Sequence, residues 1–295
     1  MTYFSVIIPT YNRANFIKTT VKSVLNQSFQ DFEVIVVDDG STDGTSEIVK
    51  TIKDNRVRYF YKENEERAVA RNYGAKLAKG KYVSFLDSDD IVYKNYLEKA
   101  LEMIEKYHQP EWFHLGYEIS DLKRGITTEG PCLPEIANFS LIKGNLLSCN
   151  NVFIRKDIAL RHPFNETREL SGTEDYELWL RLASRYPLYC SNEIVSTIMH
   201  HENRSVVTTN KEKLLKRAEI LEKSLGEDFE FIQKFGRYFC RIKAYNRAYI
   251  ALHLALSQHS KLEVSKYLVR AVLCSPTILR RRIFYGAIKR SFISI

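Results

Sequence analysis

The chain has 295 residues, room for a large domain with an appendage, and its 44% hydrophobic and 27% charged composition excludes collagen-like and disordered classes. No apolar run approaches the roughly 18–20 residues that span a bilayer, and Met1 to Ser5 lack a basic then apolar leader, so neither export nor an integral span is expected. The net charge of +8 is unevenly placed: residues 211–295 carry 18 Lys and Arg against 7 Asp and Glu, so residues 1–210 are net −3.

Short β-branched or aromatic runs alternate with helix-period segments over the first hundred residues, the pattern of βαβ units. Phe4 to Ile8 reads as a strand, followed by a helix with Ile17, Val21, Val24 and Leu25 on one face. Phe32 to Val37 is a continuous apolar strand ending in Asp38-Asp39-Gly40-Ser41, and a second helix opens near Asp43. Arg56 to Tyr61 alternates charged and apolar residues, as a strand near a sheet edge does. A third helix covers Ala68 to Ala78, with Gly80 expected as its cap. Lys81 to Leu86 is the next strand and runs into Asp87-Ser88-Asp89-Asp90, before a periodic helix from Tyr96 to Tyr107. These units predict a doubly wound, mainly parallel α/β sheet sandwiched by helices.

Between Gln109 and Leu170 the prolines and glycines break any long element, as expected of acceptor-shaping loops and mixed strands. Thr173 to Ser184 returns to helix, Leu188 to Met199 reads as one or two strands, and everything after Thr209 has helical period. A boundary is expected near residue 210: a catalytic domain over 1–210, with halves of about 1–108 and 109–210, then a basic helical region over 211–295. The five cysteines are widely spaced and form no Cys-x-x-Cys pair, so they read as small buried apolar residues in a reducing cytoplasm rather than as disulfides or zinc ligands.

Ligands of open parallel sheets bind beyond the carboxyl ends of the strands. Both acidic clusters, Asp38-Asp39 and Asp87 to Asp90, follow strands, and carboxylates converging there repel unless donors or a cation meet them. Oxygen ligands from an acidic turn suit Mg²⁺ or Mn²⁺. The same turns also serve as helix caps, where Asp and Ser are favoured.

Five segments in order, Val6-Ile7-Ile8-Pro9-Thr10-Tyr11-Asn12-Arg13, Val36-Val37-Asp38-Asp39-Gly40-Ser41, Ala70-Arg71-Asn72-Tyr73-Gly74, Phe85-Leu86-Asp87-Ser88-Asp89-Asp90 and Thr173-Glu174-Asp175-Tyr176-Glu177-Leu178-Trp179-Leu180-Arg181, resemble the motifs of family 2 glycosyltransferases with the GT-A fold. The resemblance covers residues 3–206 and implies inverting sugar transfer from a nucleotide sugar, a UDP sugar above all, to a saccharide or lipid-linked saccharide in cell-surface glycan synthesis. It implies that Pro9, Thr10, Tyr11 and Arg13 line the nucleoside pocket, that Asp39 meets the base, and that Arg71 contacts the diphosphate or base. Asp87, beside Ser88, would hold the ribose or ion, Asp89 would ligate the metal, and Asp90 would orient its neighbours. Asp175 corresponds to the general base, with Glu174 the adjacent candidate, because neighbouring side chains diverge on a helix. His201, in His200-His201-Glu202-Asn203-Arg204-Ser205, is a second metal-site candidate.

Between Phe231 and Ile295 there are 13 Lys and Arg and one acid, Glu263. Leu268, Val269, Val272 and Leu273 form one apolar stripe, and Ile278, Leu279, Ile283, Phe284 and Ile288 another beside Arg280, Arg281 and Arg282. Such a helix is suited to lie on an anionic membrane surface through residues 275–295, peripherally at the cytoplasmic face. An ordinary packing subdomain is the alternative. A nucleotidyltransferase would want a glycine-rich loop after the first strand, where Pro9-Thr10-Tyr11-Asn12 stands. Nucleic acid as a partner is opposed by the acidic balance of residues 1–210.

Overall fold

A computed structural model describes residues 2–121, 123–200 and 211–292, which form two units. The first comprises residues 2–138, 146–178 and 186–200; the second comprises residues 139–145, 179–185 and 211–292, so it takes two short stretches from before residue 210.

In the first unit, strand β1 (Phe4–Thr10) and strand β2 (Phe32–Asp39) are buried along their whole length, which is why both read as unbroken apolar runs. Helix α1 (Ile17–Leu25) joins them and buries Ile17, Thr20, Val21 and Val24, one stripe at helical spacing. Helix α2 (Thr45–Lys50) leads to strand β3 (Val57–Lys62), half-buried at the sheet edge. Helix α3 (Arg67–Leu77) ends at Ala78, whose backbone is already extended, so Gly80 is not its cap. Gly80 answers a packing need instead: a Cβ there would stand 2.6 Å from the backbone of Phe4 and Ser5.

Strand β4 (Tyr82–Phe85), strand β5 (Ile91–Val92) and helix α4 (Tyr96–Lys106) complete the first half. Strand β6 (Trp112–Asp121), strand β7 (Ile126–Glu129), strand β8 (Val152–Arg155) and helix α5 (Lys156–Arg161) occupy the irregular stretch. Helix α6 (Glu174–Arg185) and the single strand β9 (Tyr189–His200) follow.

The sheet order is β3-β2-β1-β4-β8-β6-β9-β5, with β7 on β6. The β3-β2-β1-β4 block is parallel throughout, and the antiparallel pairs fall in the other half. From β1 the chain builds outward to β2 and β3, then returns to place β4 on the opposite side of β1. That reversal opens a crevice at the carboxyl ends of β1 and β4. Below it, Val6, Ile8, Val34, Val36, Tyr82, Phe113 and Phe153 belong to one continuous core.

The second unit is helical: α7 (Lys211–Glu227), α8 (Phe229–Phe235), α9 (Phe239–Leu256), α10 (Lys261–Cys274) and α11 (Arg282–Phe292). Ala244, Ala248, Ala251 and Ala255 on α9 are buried in the core to which α10 and α11 contribute Val264, Leu268, Ala271, Phe284 and Ala287. The expected stripes are corrected here. On α10 the buried face is Val264, Tyr267, Leu268 and Ala271, whereas Val269 and Leu273 are 57% and 79% exposed. Pro276 to Arg280 form a 3-10 turn before α11 begins, so Ile278 and Phe284 lie on different elements, both buried. Cys132 and Cys240 are both exposed and do not meet the expectation of buried apolar cysteines. Among the described residues no helix is long and apolar enough to cross a membrane.

Candidate active site

Three chain turns meet at the ends of the parallel strands. After β1, Pro9 and Thr10 lead into exposed Tyr11 and then Asn12, which takes a positive φ of 52°. The Asn12 backbone N–H donates to Ser41 Oγ at 2.9 Å, and its side-chain oxygen accepts the Thr42 N–H at 2.8 Å. Arg13 donates its backbone N–H to Thr45 Oγ1 at 3.0 Å, and its Nε lies 3.3 Å from Asp89 Oδ2. One arginine thus joins the turns after β1, β2 and β4.

At the end of β2, Asp38 accepts from the Ser41 N–H and the Tyr59 hydroxyl, the latter pushed up to about 12 by burial and by its carboxylate neighbour. Asp39 accepts from Lys62 Nζ at 2.7 Å, the backbone N–H groups of Glu65 and Glu66, and Asn64 Nδ2. Four donors fill the sites of a carboxylate, so a base can reach Asp39 only by exchanging one of them. Glu66 pays in backbone strain, with φ at 81° in a non-glycine residue. Its carboxylate accepts from Ser171 Oγ and Arg168 Nε, which ties this loop to the turn ahead of α6.

At the end of β4, Asp87 donates its backbone N–H to Asn150 Oδ1 and accepts Arg71 Nη2 at 2.9 Å. The Ser88 carbonyl accepts from Thr20 Oγ1. Asp90 is fully buried, where it accepts Asn150 Nδ2 at 2.7 Å and the Met199 N–H at 2.8 Å. Asn150 therefore brackets both acids.

Arg71, on α3, is 1% exposed. Burial works against its charge, but the carboxylates of Asp87, Glu174 and Asp175 raise its pKa, so it stays cationic. Its Nη1 donates to Glu174 Oε1 at 2.7 Å and its plane lies 5.3 Å from the Phe164 ring. Both terminal nitrogens of Arg71 thus meet carboxylates, Glu174 and Asp87, and the group is buried.

The acid pair at the start of α6 divides. Glu174 is 2% exposed; burial opposes its ionisation, while Arg67 and Arg71 hold its pKa below the usual range. Glu174 is thus held in a buried ion pair with Arg71. Asp175 is half-buried on the next position and within electrostatic reach of Arg71, Tyr117 and Cys149. Burial pushes the Cys149 thiol well up, so it stands there neutral. His201 lies outside the described residues.

A divalent cation fits the donor set at β4. Among the described residues no group of three His, Cys, Asp or Glu gathers as a metal cage. Mg²⁺, however, is held in nucleotide sites by one or two carboxylates plus substrate phosphates. Asp87, 28% exposed, and Asp89 supply that number of hard oxygen ligands in one turn.

Sequence reasoning missed Asn150 and Glu66. Asn150 sits in Ser148-Cys149-Asn150-Asn151, a polar run entering the apolar strand β8, and a polar run ahead of a buried strand is the signal that marks it.

A parallel block continued by a mixed half is the GT-A architecture. The chain aligns with the S. aureus TarS 1-349 structure, in complex with UDP-GlcNAc, at a TM-score of 0.67 and 19% identity, covering 99% of this chain and 93% of that one. It aligns with the Pyrobaculum calidifontis mannosyltransferase PcManGT, in complex with GDP-Man and Mn²⁺, at a TM-score of 0.60 and 18% identity, covering 97% and 85%. Residues 5–146 match the family described as glycosyl transferase family 2. The putative teichuronic acid biosynthesis glycosyltransferase TuaG of Bacillus subtilis is 34% identical over 72% of this chain and 84% of its own. The Escherichia coli UDP-Glc:alpha-D-GlcNAc-diphosphoundecaprenol beta-1,3-glucosyltransferase WfaP is 30% identical over 77% and 88%. An uncharacterised glycosyltransferase of Rickettsia conorii is 51% identical over 71% of this chain but 36% of its own, and two other Rickettsia relatives are covered over 30% and 18%. The chain belongs to glycosyltransferase family 2.

Proposed function

We propose that the protein transfers a sugar from a UDP sugar to a hydroxyl of a lipid-linked saccharide acceptor, with inversion, in cell-surface glycan synthesis. The observation that carries this reading is the division of labour around Arg71: Glu174 and Asp87 hold the guanidinium, and Asp175 stands half-exposed beside them. Asp175 takes the proton of the acceptor hydroxyl as its oxygen bonds to the anomeric carbon. The bond from that carbon to the phosphate oxygen breaks, and its electron pair leaves with UDP. A single in-line displacement inverts the centre.

Pro9, Thr10, Tyr11 and Arg13 border the nucleoside, Asp39 meets the base after exchanging a donor, and Ser88 and Asp87 face the ribose. Mn²⁺ or Mg²⁺, held by Asp89 and Asp87, with His201 a further ligand, would neutralise charge on the departing diphosphate. Arg71 fixes the Asp87 carboxylate in place. The UDP sugar and lipid-linked acceptor are supported by the name of WfaP, 30% identical to this chain. Peripheral attachment at the inner face of the plasma membrane through 275–295 would bring the enzyme to such an acceptor.

A donor-hydrolysis screen across UDP, GDP and dTDP sugars, scored for nucleotide release with metal present, tests the reading. Release from a UDP sugar that vanishes in Asp89→Ala supports it; no release from any donor contradicts it.

A further inference from the structure

The second unit holds a cavity of about 420 Å³ built entirely from its own residues. Lys143 reaches it from the turn at 138–143, Tyr238 from just before α9, Arg241 and Tyr245 from the start of α9, and Arg280 and Arg281 from the turn between α10 and α11. No Asp or Glu lines it, and none of its four cations forms an ion pair among the described residues. Two other arginines of this unit are paired, Arg185 with Asp228 and Arg247 with Glu222.

The walls are held in place. Gly144 has a φ of 129°, and a Cβ there would stand 2.5 Å from the Tyr245 ring, so the Lys143 turn packs on Tyr245 with no side chain between. The Arg241 guanidinium lies 5.0 Å over the Tyr238 ring, with Arg237 also at that ring at 4.6 Å. Burial pushes the Tyr245 phenol up to about 12, and it therefore stays a hydrogen-bond donor at neutral pH.

Lys143, Arg241 and Arg280 are exposed and Arg281 is half-buried, so the four cations line a hollow open to solvent, where an anion can accept charge-assisted hydrogen bonds from several of them at once. Guanidinium groups match phosphate oxygens in a bidentate fork, and a phosphate carries more charge and more acceptor oxygens than a carboxylate. We propose that this cavity, lined by the second unit alone, binds a phosphate-bearing ligand, as a monoester, diester or diphosphate. The phosphate could be that of a soluble molecule or of a lipid headgroup; the chemistry of recognition is shared.

The test uses the full chain in metal-free buffer. Calorimetry with pyrophosphate reads the soluble source, and co-sedimentation with phosphatidylglycerol-containing against pure phosphatidylcholine vesicles reads the lipid source. The double substitution Arg241→Gln with Arg281→Gln is expected to weaken whichever binding is found by roughly tenfold or more. Lys223→Gln, on the exposed face of α7 and outside both the cavity and residues 275–295, should leave it unchanged. Arg280→Gln, at an exposed lining residue, should weaken it severalfold and decides the matter if circular dichroism shows the double variant unfolded. Neither form of binding in the native chain, binding untouched by the cavity substitutions, or an equal loss in Lys223→Gln would overturn the proposal.

Discussion

The acidic strand ends of the first unit and the basic hollow of the second handle unbalanced charge in opposite ways. Around β1, β2 and β4 the acids are met by donors of the same chain: Asp39 by Lys62 and two backbone N–H groups, Asp87 and Glu174 by Arg71, Asp90 by Asn150. In the second unit Lys143, Arg241, Arg280 and Arg281 share a cavity with no acid in its wall. The first arrangement answers its charges within the chain; the second, on the proposal above, offers its charges to an anion from outside. The net charge of each half of the sequence hides this, because it counts charges without their partners.

The strongest way to break the comparison is to remove the central cation. Arg71→Met leaves the buried Glu174 carboxylate without its short partner, and urea unfolding should show a loss of about 3–5 kcal/mol. Adding Glu174→Gln should restore much of it; an unchanged midpoint in the single variant would mean that the pair is not buried as described.

Next in size is a proton. His114 on β6 is fully buried, which pushes its pKa down to about 3, while its Nε2 accepts the Ser148 N–H at 3.2 Å. The unfolded chain binds a proton below about pH 6.5 that the folded chain refuses until about pH 3, so the contribution is complete above the unfolded value and is lost as pH falls. Stability measured between pH 7 and pH 4.5 should drop by about 1.4 kcal/mol per pH unit below pH 6.5, beyond what His114→Gln shows.

Asn150→Ala removes the bridge between Asp87 and Asp90 and should cost about 2 kcal/mol. At the small end, Leu273→Ser on α10 should change stability by less than about 0.5 kcal/mol, because that side chain is 79% exposed. A loss as large as that of Leu268→Ser would return Leu273 to the buried stripe.

The strands and their order of occurrence were legible because buried parallel strands need continuous apolar runs, as Ile7-Ile8 and Val34 to Val37 show. Periodicity alone misplaced the face of α10, since Val269 and Leu273 fit the same spacing as Leu268. It could not see that Ile278 and Phe284 belong to different elements, because the break at Pro276 and Arg281 is a matter of backbone, not of hydropathy. In the candidate site the motif acids were visible as acids, but their partners were not. Arg71 and Glu174 are 103 positions apart, and only the fold brings them to 2.7 Å. Asn150 carries no charge and no period, yet it holds two of the acids.

The account turns on the unequal fate of two adjacent carboxylates, Glu174 and Asp175. Single-turnover nucleotide release from a UDP sugar by Asp175→Asn, with UDP affinity and unfolding midpoint measured on the same preparation, tests it most directly. A rate lower by about 10²–10⁴-fold, with affinity and midpoint unchanged, is the predicted result. A rate within twofold of the native chain would contradict it.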